Sequence, residues 1–351
     1  MNKQRGLSII ELMVAMLVGL ILMAGVIQVF LSSKRTYSFQ ESLARIQETG
    51  RISQEFLARD VRMAGYNGCA GGDYGELTNT LKNANTVNYD FSTGLKGFND
   101  ISANPDPATL NPAPLLGADI LVLRGPVGDG VKVVDNNNGA QLFADVVATE
   151  VGACADGTNR ISGICQGDIL AVADCTKARV FQTGNLQVTS GALNVTHPDA
   201  GLVPGNAITS WGGNSAPENE RFGVDAEIIK MNTVYYYVAN NPAGQPALYQ
   251  RIVPGVANEV VEGVENLQFL YGRDTNDDGV PESYLNATQV DAANAWKSIT
   301  AVRIEMLVRG AENGVTDQAQ IYHFNGADVT PTDKRLRHVF VSTVGIRARL
   351  P

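Results

Sequence analysis

One acidic segment of the chain has oxygen-bearing groups at the spacing of a calcium-binding loop. The candidate ligands are four side chains and one main-chain carbonyl: Asp274, Asn276, Asp278, Glu282 and the carbonyl of Val280. Gly279 stands at the sixth position, where such loops turn sharply, but Leu285 occupies the twelfth position, where a bidentate Glu is expected. The segment therefore allows a calcium site of a looser type, and no other cofactor is predicted. An acidic turn between two strands is the competing interpretation.

Four cysteines offer a second kind of chemistry. They are Cys69, Cys154, Cys165 and Cys175. An even number of cysteines in an exported domain predicts two disulfides; four cysteines allow three pairings, and the sequence does not choose between them. The close spacing of the last three favours one local bridge, with Cys69 tying the end of the preceding helix to the domain that follows. Zinc is disfavoured because the spacing lacks a C-x2-C pair and no histidine stands nearby.

The chain has no arrangement of residues that is typical of an active site. Its histidines, His197, His323 and His338, are far apart in the sequence, and no serine or cysteine stands in a nucleophile motif. A glycine-rich phosphate-binding loop is also missing from the sequence. We therefore predict that the protein is not an enzyme. The alternative is a membrane-tethered periplasmic enzyme, which turnover of an ester, peptide or glycan would favour.

A single acid in the first apolar segment is the remaining candidate for chemistry. Residues 7–31 are almost wholly apolar, and Glu11 is the only charged residue among them. A helix of this length crosses a hydrocarbon core of about 30 Å. The segment is too long for a secretory signal peptide and lacks an Ala-x-Ala exit. Because an acid within a bilayer costs roughly 2.5–3.5 kcal/mol, Glu11 needs a partner or a function. A position near the lipid headgroups is the plainer interpretation.

The helix is predicted to continue beyond the apolar segment, to residue 63. Its second half has one narrow stripe of apolar or small residues: Phe39, Leu43, Ile46, Gly50, Ser53 and Leu57. Opposite charges four residues apart, such as Glu41 and Arg45, favour a helix, and Gly65 and Gly68 end it. The first half would span the membrane and the second half would pack on a domain, where Gly50 and Ser53 would allow a sheet to approach closely.

The pattern after the helix predicts a β-rich domain. Residues 70–117 lack periodicity, which predicts a long irregular connection with a short strand near Thr86–Tyr89. Strands are predicted over the segments Asp119–Arg124, Asp168–Asp174, Ala178–Thr183, Ala226–Ala239, Ala247–Val253, Val260–Tyr271, Ile299–Arg309, Ala319–Phe324 and Leu336–Arg347. Residues 240–244 are typical of a hairpin turn. The predicted class is α+β, with a long helix packed on an antiparallel β-sheet domain.

The charge of the chain limits its partners. The 351 residues carry a net charge of −9, which argues against binding to a phosphate backbone. Basic residues gather at 334–338 and at Arg347 and Arg349. A solvated strand surface is the favoured interpretation of these residues over a nucleic-acid patch, so no nucleic-acid partner is expected.

The beginning of the chain resembles the prepilin signal of type IV pilins and pseudopilins. The resemblance rests on Lys3 and Arg5, then Gly6, Leu7 and Glu11, followed by the long apolar helix. It implies cleavage between Gly6 and Leu7 by a membrane prepilin peptidase, followed by N-methylation of Leu7. It also implies that the Glu11 carboxylate meets the N-terminal amine of a neighbouring subunit during recruitment, since buried charges are tolerated when they are paired.

Further segments resemble the PilW family of minor pilins. The similar segments are residues 30–34, 45–51, 56–66, 68–69, 167–168, 174–175, 263–267 and 337–350. The resemblance implies a non-enzymatic subunit that joins other minor pilins, the major pilin and a tip adhesin, and that primes the filament. The alternatives are a J-type minor pseudopilin of a type II secretion system and an adhesin or DNA-uptake pilin.

The resulting domain organisation has three parts. Residues 1–6 are a leader peptide, residues 7–63 are the pilin helix with residues 7–31 in the inner membrane, and residues 64–351 are a periplasmic β-rich domain. The chain would cross the membrane once. The family resemblance implies that the subunit later stands at the pilus tip on the cell surface.

Overall fold

The computed structural model describes residues 8–68, 76–101, 110–199, 201–213 and 216–350. The chain forms two compact units. The first unit comprises Met1–Glu48 and Arg309–His338, and the second comprises Thr49–Val308 and Val339–Pro351. One helix, α1 (Ile9–Met63), contributes to both. The predicted helix is therefore confirmed from Ile9 to Met63, while Leu7 lies outside the described residues.

The second half of α1 buries the predicted stripe from Ile46 onward, whereas Leu43 is half-buried and Phe39 is 39% exposed. The buried positions lie three or four residues apart: Gly50, Ser53, Leu57 and Val61. This spacing places them on one face of the helix. The helix ends at the predicted glycines, where Gly65 has φ +73° and donates its N–H to the Arg124 carbonyl at 2.7 Å. A side chain at Gly65 would be strained in that conformation, so this glycine sets where the chain leaves the helix.

The remaining elements are strands and one short helix. In chain order the strands are β1 (Glu76–Asn79), β2 (Leu95–Phe98), β3 (Ile120–Asn138), β4 (Gln141–Asp145), β5 (Thr149–Glu150), β6 (Arg160–Ile161), β7 (Ile169–Ala173), β8 (Lys177–Gln182), β9 (Leu186–Thr189), β10 (Ala192–Thr196), β11 (Glu227–Asn240), β12 (Pro246–Ile252), β13 (Ala257–Glu262), β14 (Val264–Arg273), β15 (Ser283–Leu285), β16 (Ile299–Arg309), β17 (Tyr322–Phe324), β18 (Ala327–Val329) and β19 (Arg337–Gly345). The short helix α2 is Ala287–Ala292, capped by the Asn286 side chain.

A large sheet in the second unit is organised around β11. Its main order is β1-β8-β7-β11-β3-β4-β10-β9; in addition, β12 pairs with β11, β13 pairs with β12, and β2 pairs with β3. The long strand β11 pairs antiparallel with β3, β7 and β12, and β12 forms with it the predicted hairpin, in which Tyr237 lies opposite Tyr249. Strand β1 pairs with β8 in parallel.

A second sheet has the order β15-β14-β16-β19. Strand β16 buries one alternating face, since Val302, Ile304, Met306 and Val308 are each at most 1% exposed. The large sheet and this four-stranded sheet are joined at Asp119, whose backbone N–H donates to the Leu267 carbonyl at 2.8 Å. The fold is therefore the predicted α+β class, with a long helix followed by mainly antiparallel sheets.

The first unit contains the membrane-length part of α1 and residues 309–338. Arg45 Nη2 lies 2.9 Å from Glu41 Oε1, which confirms that predicted helical pair. The Ser38 hydroxyl donates to Glu312 Oε2 at 3.2 Å, and β17 and β18 form a short hairpin.

Three strand predictions are wrong. The first is Thr86–Tyr89, which forms turns instead of a strand and is held in place by the Arg124 guanidinium, which donates to the Val87 carbonyl at 2.6 Å. The segment 70–117, predicted to be irregular around that strand, contains β1 and β2. The strand predicted to end at Arg124 continues to Asn138 as β3, past Gly125 and Pro126. The strand predicted over 260–271 is two strands that meet at Gly263, where φ is +99°. A positive φ interrupts a strand, so the ladder has to restart there.

Candidate functional site

The first part of α1 is the candidate assembly segment. Between Ile9 and Leu31, every large apolar side chain is at least 48% exposed. Among the described residues, α1 is the helix long and apolar enough to cross a membrane. A continuous apolar surface of this length is unfavourable in water, so the segment needs lipid or the apolar helices of other subunits around it.

Glu11 lies in the first turn of this segment and is exposed. Its Oε2 accepts the Ser8 N–H at 3.0 Å. The first N–H groups of a helix lack partners within the helix, and a negative charge beside them is also favoured by the helix dipole. Gly6 and Leu7 lie outside the described residues. Cleavage after Gly6, methylation of Leu7 and the recruiting role of Glu11 therefore stay predictions.

A buried polar cluster fixes the second half of α1 against the large sheet. The Tyr236 hydroxyl on β11 donates to Asp60 Oδ2 on α1 at 2.6 Å, and Gln250 Nε2 donates to the Tyr236 oxygen at 2.6 Å. Burial raises the pKa of Tyr236 far above its usual range, and the neighbouring Asp60 carboxylate adds to the effect. Tyr236 therefore stays a hydrogen-bond donor at any physiological pH.

Gly50 provides the close approach that the sequence predicts. A Cβ atom placed on Gly50 would lie less than 3.0 Å from three ring carbons of Phe340 on β19. An aromatic ring can reach the helix backbone at this point because the helix has no side chain there. This contact and the Asp60–Tyr236 hydrogen bond join the same helix to two different sheets.

The structure confirms the predicted local disulfide. Cys154 and Cys165 are bonded, with their Cα atoms 5.8 Å apart, and the loop that they close contains β6, which pairs with β5 just before Cys154. Cys175 is also disulfide-bonded. Cys69 lies outside the described residues, so its link to the sheet domain stays a prediction. The local bridge expected among the last three cysteines is thus Cys154–Cys165.

The calcium-like segment is the loop of a hairpin between β14 and β15, as the competing interpretation expects. Asp274, Asp278 and Glu282 have carboxylate oxygens within 4.8 Å of one another. The buried Asp274 carboxylate accepts the Gly279 N–H at 2.7 Å, and Glu282 Oε2 accepts the Thr275 N–H at 2.8 Å. The loop therefore gathers three acids, and backbone N–H groups bind Asp274 and Glu282 as well as Asp278.

The other two predicted ligands lie in the same turn. Asn276 Nδ2 donates to Asp278 Oδ2 at 3.1 Å, and the Val280 N–H donates to Asp278 Oδ1 at 2.8 Å. These bonds orient Asp278 within the loop. Oxygen ligands of this kind suit calcium, and calcium binding stays a prediction.

The basic residues near the C-terminus are engaged within the chain. Arg337 Nη1 donates to Asp333 Oδ1 at 2.5 Å, and hydrogen bonding to Arg337 lowers the pKa of Asp333 to about 2. Arg349 Nη1 donates to the carbonyls of Trp296 and Ile299 at 2.6 and 2.8 Å. These guanidinium groups bind within the chain, and Arg337 is 4% exposed, so the prediction of a solvated strand surface is wrong at Arg337.

The histidines occupy unrelated environments. His197 is 1% exposed and stacks on Trp211, with ring centroids 4.1 Å apart. Burial lowers the pKa of His197 to about 4, so the ring is neutral at physiological pH. His323 is exposed in the first unit, and its Nδ1 lies 2.9 Å from Asp328 Oδ1. His338 is also exposed.

Two groups that matter to the structure are not predicted from the sequence. One is the Asp60–Tyr236 pair, which joins residues 176 positions apart. The other is Asp119, which is 2% exposed and accepts the N–H groups of Asp100 and Phe269 at 2.9 and 2.8 Å. The three consecutive tyrosines 235–237 are the sequence feature that could have indicated the Asp60–Tyr236 pair, since a buried tyrosine hydroxyl needs a hydrogen-bond partner.

Two family models match the chain. Residues 1–27 match the prokaryotic N-terminal methylation motif, and residues 235–348 match the family described as type IV pilus-assembly protein W. No curated protein and no solved structure matches significantly. The first match covers Gly6, Leu7 and Glu11, and the second runs from Tyr235 on β11 into the C-terminal strand β19. With the exposed apolar helix at one end and these two matches, the chain is a type IV pilus-associated pilin that matches the PilW family.

Proposed function

We propose that the protein is a minor pilin that takes part in priming type IV pilus assembly. The observation that supports this most is the exposed apolar helix, which carries Glu11 as its one charge and continues unbroken into a folded domain. In this proposal residues 7–31 are held in the inner membrane, and the domain from residue 64 onward lies in the periplasm. The prepilin peptidase acts on the chain before assembly.

The apolar helix is proposed to pass from lipid into a bundle of similar helices. The transfer exchanges one apolar environment for another, so it requires little desolvation of the helix surface. Glu11 supplies the directional contact, because its carboxylate in a medium of low dielectric attracts the amine of a neighbouring subunit. The partners are other minor pilins and the major pilin. A subunit that primes a filament enters first, so we place it at the tip, next to a tip adhesin.

The proposed role is structural and involves no catalysis. A J-type pseudopilin of type II secretion would have the same kind of anchor, and the match to pilus-assembly protein W favours the pilus over that alternative. An adhesive or DNA-uptake role would add to the assembly role without requiring a different anchor.

A deletion strain tests the proposal. We expect loss of surface pili in electron micrographs and loss of twitching motility, with type II secretion intact, and restoration of pili by the full chain. Normal pili with defective secretion would contradict the pilus assignment and favour the pseudopilin. Normal pili with reduced surface or DNA binding would favour the adhesin or DNA-uptake role.

A further inference from the structure

The second unit has a groove between α1 and β19. The groove has a volume of about 520 Å³. The helix side includes Glu55, Arg59 and Arg62, and the strand side includes Ser342 and Thr343. The lining is mixed rather than purely apolar, because the strand wall includes hydroxyl side chains and the helix wall includes charged side chains. Such a surface selects a partner through hydrogen bonds and charge.

Strand β19 is the edge of its sheet. In the order β15-β14-β16-β19 it has a neighbouring strand on one side only, among the described strands. Exposed strand edges are usually protected by charged residues, proline or a bulge. Residues 341–344 read Val-Ser-Thr-Val, with no charge and no proline, and Val341 is 49% exposed. This part of the edge is open to pairing with another strand.

The charged side chains on the helix wall of the groove determine which charge a partner should carry. Arg59 Nε lies 2.9 Å from Asp60 Oδ1. Arg62 is exposed and forms no ion pair with any residue in the described part of the chain. Among the charged groups at this wall, Asp60 pairs with Arg59 and Glu55 is the one acid in the lining, so Arg62 is the lining cation to which a partner's carboxylate can bind. A carboxylate is the group that a free guanidinium binds best.

We propose that an extended, acidic segment of another pilin subunit adds to β19 as a further strand and places a carboxylate against Arg62. The helix from Glu55 to Arg62 rises about 10 Å, and three or four residues of a strand span about 10–13 Å, so a short strand matches the wall. This inference rests on the proposed role in pilus assembly. A head-to-tail contact between copies of this chain would build an open polymer of the chain itself, which a priming subunit does not need.

Site-specific cross-linking of the full chain in piliated cells tests the proposal. A photoreactive benzoylphenylalanine replaces Thr343 in the groove and, as the control, Val224, which is 71% exposed elsewhere in the second unit. We expect the Thr343 probe to cross-link to a different pilin-type subunit, at an extended segment that contains Asp or Glu, with no such product from Val224. Cross-linking to a second copy of the chain, to a protein that is not a pilin, or to nothing would overturn the proposal.

A charge reversal separates specific docking from mere proximity. Arg62→Glu is expected to lower the yield of the Thr343 product about tenfold, because a like charge then faces the partner's carboxylate. Arg51→Glu introduces the same change at an exposed position of α1 outside the groove, and it should leave the yield unchanged. Equal yields from the two variants would contradict the carboxylate contact. Thermal unfolding of both purified chains checks that each one folds.

The deletion strain distinguishes this inference from the proposed function. A strain without pili, combined with no product from the Thr343 probe, overturns the docking proposal and leaves the assembly role intact. A deletion strain with normal pili overturns the assembly role whatever the probe captures.

Discussion

Tyr236 on β11 donates its hydroxyl hydrogen to Asp60 on α1, with 2.6 Å between Oη and Oδ2. Gln250 Nε2 lies 2.6 Å from the Tyr236 oxygen and 3.2 Å from Asp60 Oδ2, which closes a triangle of polar groups. The Tyr236 side chain is fully buried and the Asp60 side chain is 17% exposed, so the hydrogen bond lies in a partly desolvated site, where it is stronger than in water. The bond fixes how the helix is rotated relative to the large sheet.

Removal of this hydroxyl should therefore destabilise the second unit. We expect Tyr236→Phe to lower the free energy of unfolding by about 1.5–3 kcal/mol, the range for hydrogen bonds to charged groups. Urea denaturation of the full chain in detergent, followed by tryptophan fluorescence, measures the change. Tyr66→Phe is the matched control because Tyr66 is 36% exposed, and it should change stability by less than about 0.5 kcal/mol. Equal losses from the two variants would contradict a specific role for the buried bond.

Gly50→Ala should destabilise the protein, against the usual rule for helices. Alanine in place of glycine normally stabilises a helix interior by up to about 1 kcal/mol. Here the added methyl group would overlap the Phe340 ring, so we expect a net loss of about 1–3 kcal/mol. A double-mutant cycle isolates the cause: in a Phe340→Leu background, Gly50→Ala should lose most of its cost. The same cost in both backgrounds would exclude the ring as its origin.

Two buried groups, His197 and Asp119, should change the free energy of unfolding in opposite directions as the pH falls. His197 has a folded pKa of about 4 against an ordinary 6.5, so the unfolded chain binds its proton more readily and stability falls as the pH drops through that window. Burial raises the pKa of Asp119 to about 7 from an ordinary 3.8, so the folded chain binds that proton more readily and stability rises as the pH drops from 7 to 4. Between about pH 4 and 6.5 the contributions of His197 and Asp119 to the pH dependence of the stability cancel.

Single substitutions should expose each slope. Asp119→Asn leaves the His197 contribution, so its stability should fall on acidification more than that of the wild type, by up to about 1.4 kcal/mol per pH unit. His197→Phe keeps an aromatic ring beside Trp211 and leaves the Asp119 contribution, so its stability should rise on acidification relative to the wild type. Denaturation curves from pH 4 to 7 compare the slopes. Slopes of the same sign in the two variants, relative to the wild type, would refute the assignment.

Calcium should stabilise the chain through the 274–282 loop. A site of extracellular type has a dissociation constant of about 10⁻⁴–10⁻³ M, so 10 mM Ca²⁺ should add about 1.4–2.7 kcal/mol to the free energy of unfolding. Asp278→Asn combined with Glu282→Gln should abolish that gain, whereas Asp156→Asn, in an exposed turn elsewhere, should leave it intact. Unchanged stability with calcium in the wild type would show that the loop is an ordinary acidic turn.

Local signals predict the elements that depend on local physics. The helix from Ile9 to Met63, its buried stripe and its end at Gly65 follow from residue spacing and from glycine, which is why they agree with the structure. The β11–β12 hairpin follows from the turn residues between two β-prone segments. One local disulfide among the last three cysteines follows from their close spacing, whereas its identity as Cys154–Cys165 comes from the structure.

Features set by long-range packing are the ones that the sequence misses. Residues 86–89 have a strand-like composition, yet the buried Arg124 guanidinium binds the Val87 and Thr93 carbonyls and holds that segment in turns. Strand β3 continues past Gly125 and Pro126 because β11 pairs with it on both sides of them. The groove at β19 requires α1 and the last strand together, and they lie at opposite ends of the chain.

The amount of this chain in sheared surface pili tests the central claim most directly. Cells that express the wild type, Glu11→Ala or Gly6→Val are compared by immunoblotting of membrane and pilus fractions. The account predicts that Gly6→Val stays uncleaved, while Glu11→Ala is cleaved normally and is at least about tenfold depleted from the pili, because a buried charge pair is lost. Normal cleavage of Gly6→Val, or wild-type amounts of Glu11→Ala in the pili, would contradict the account.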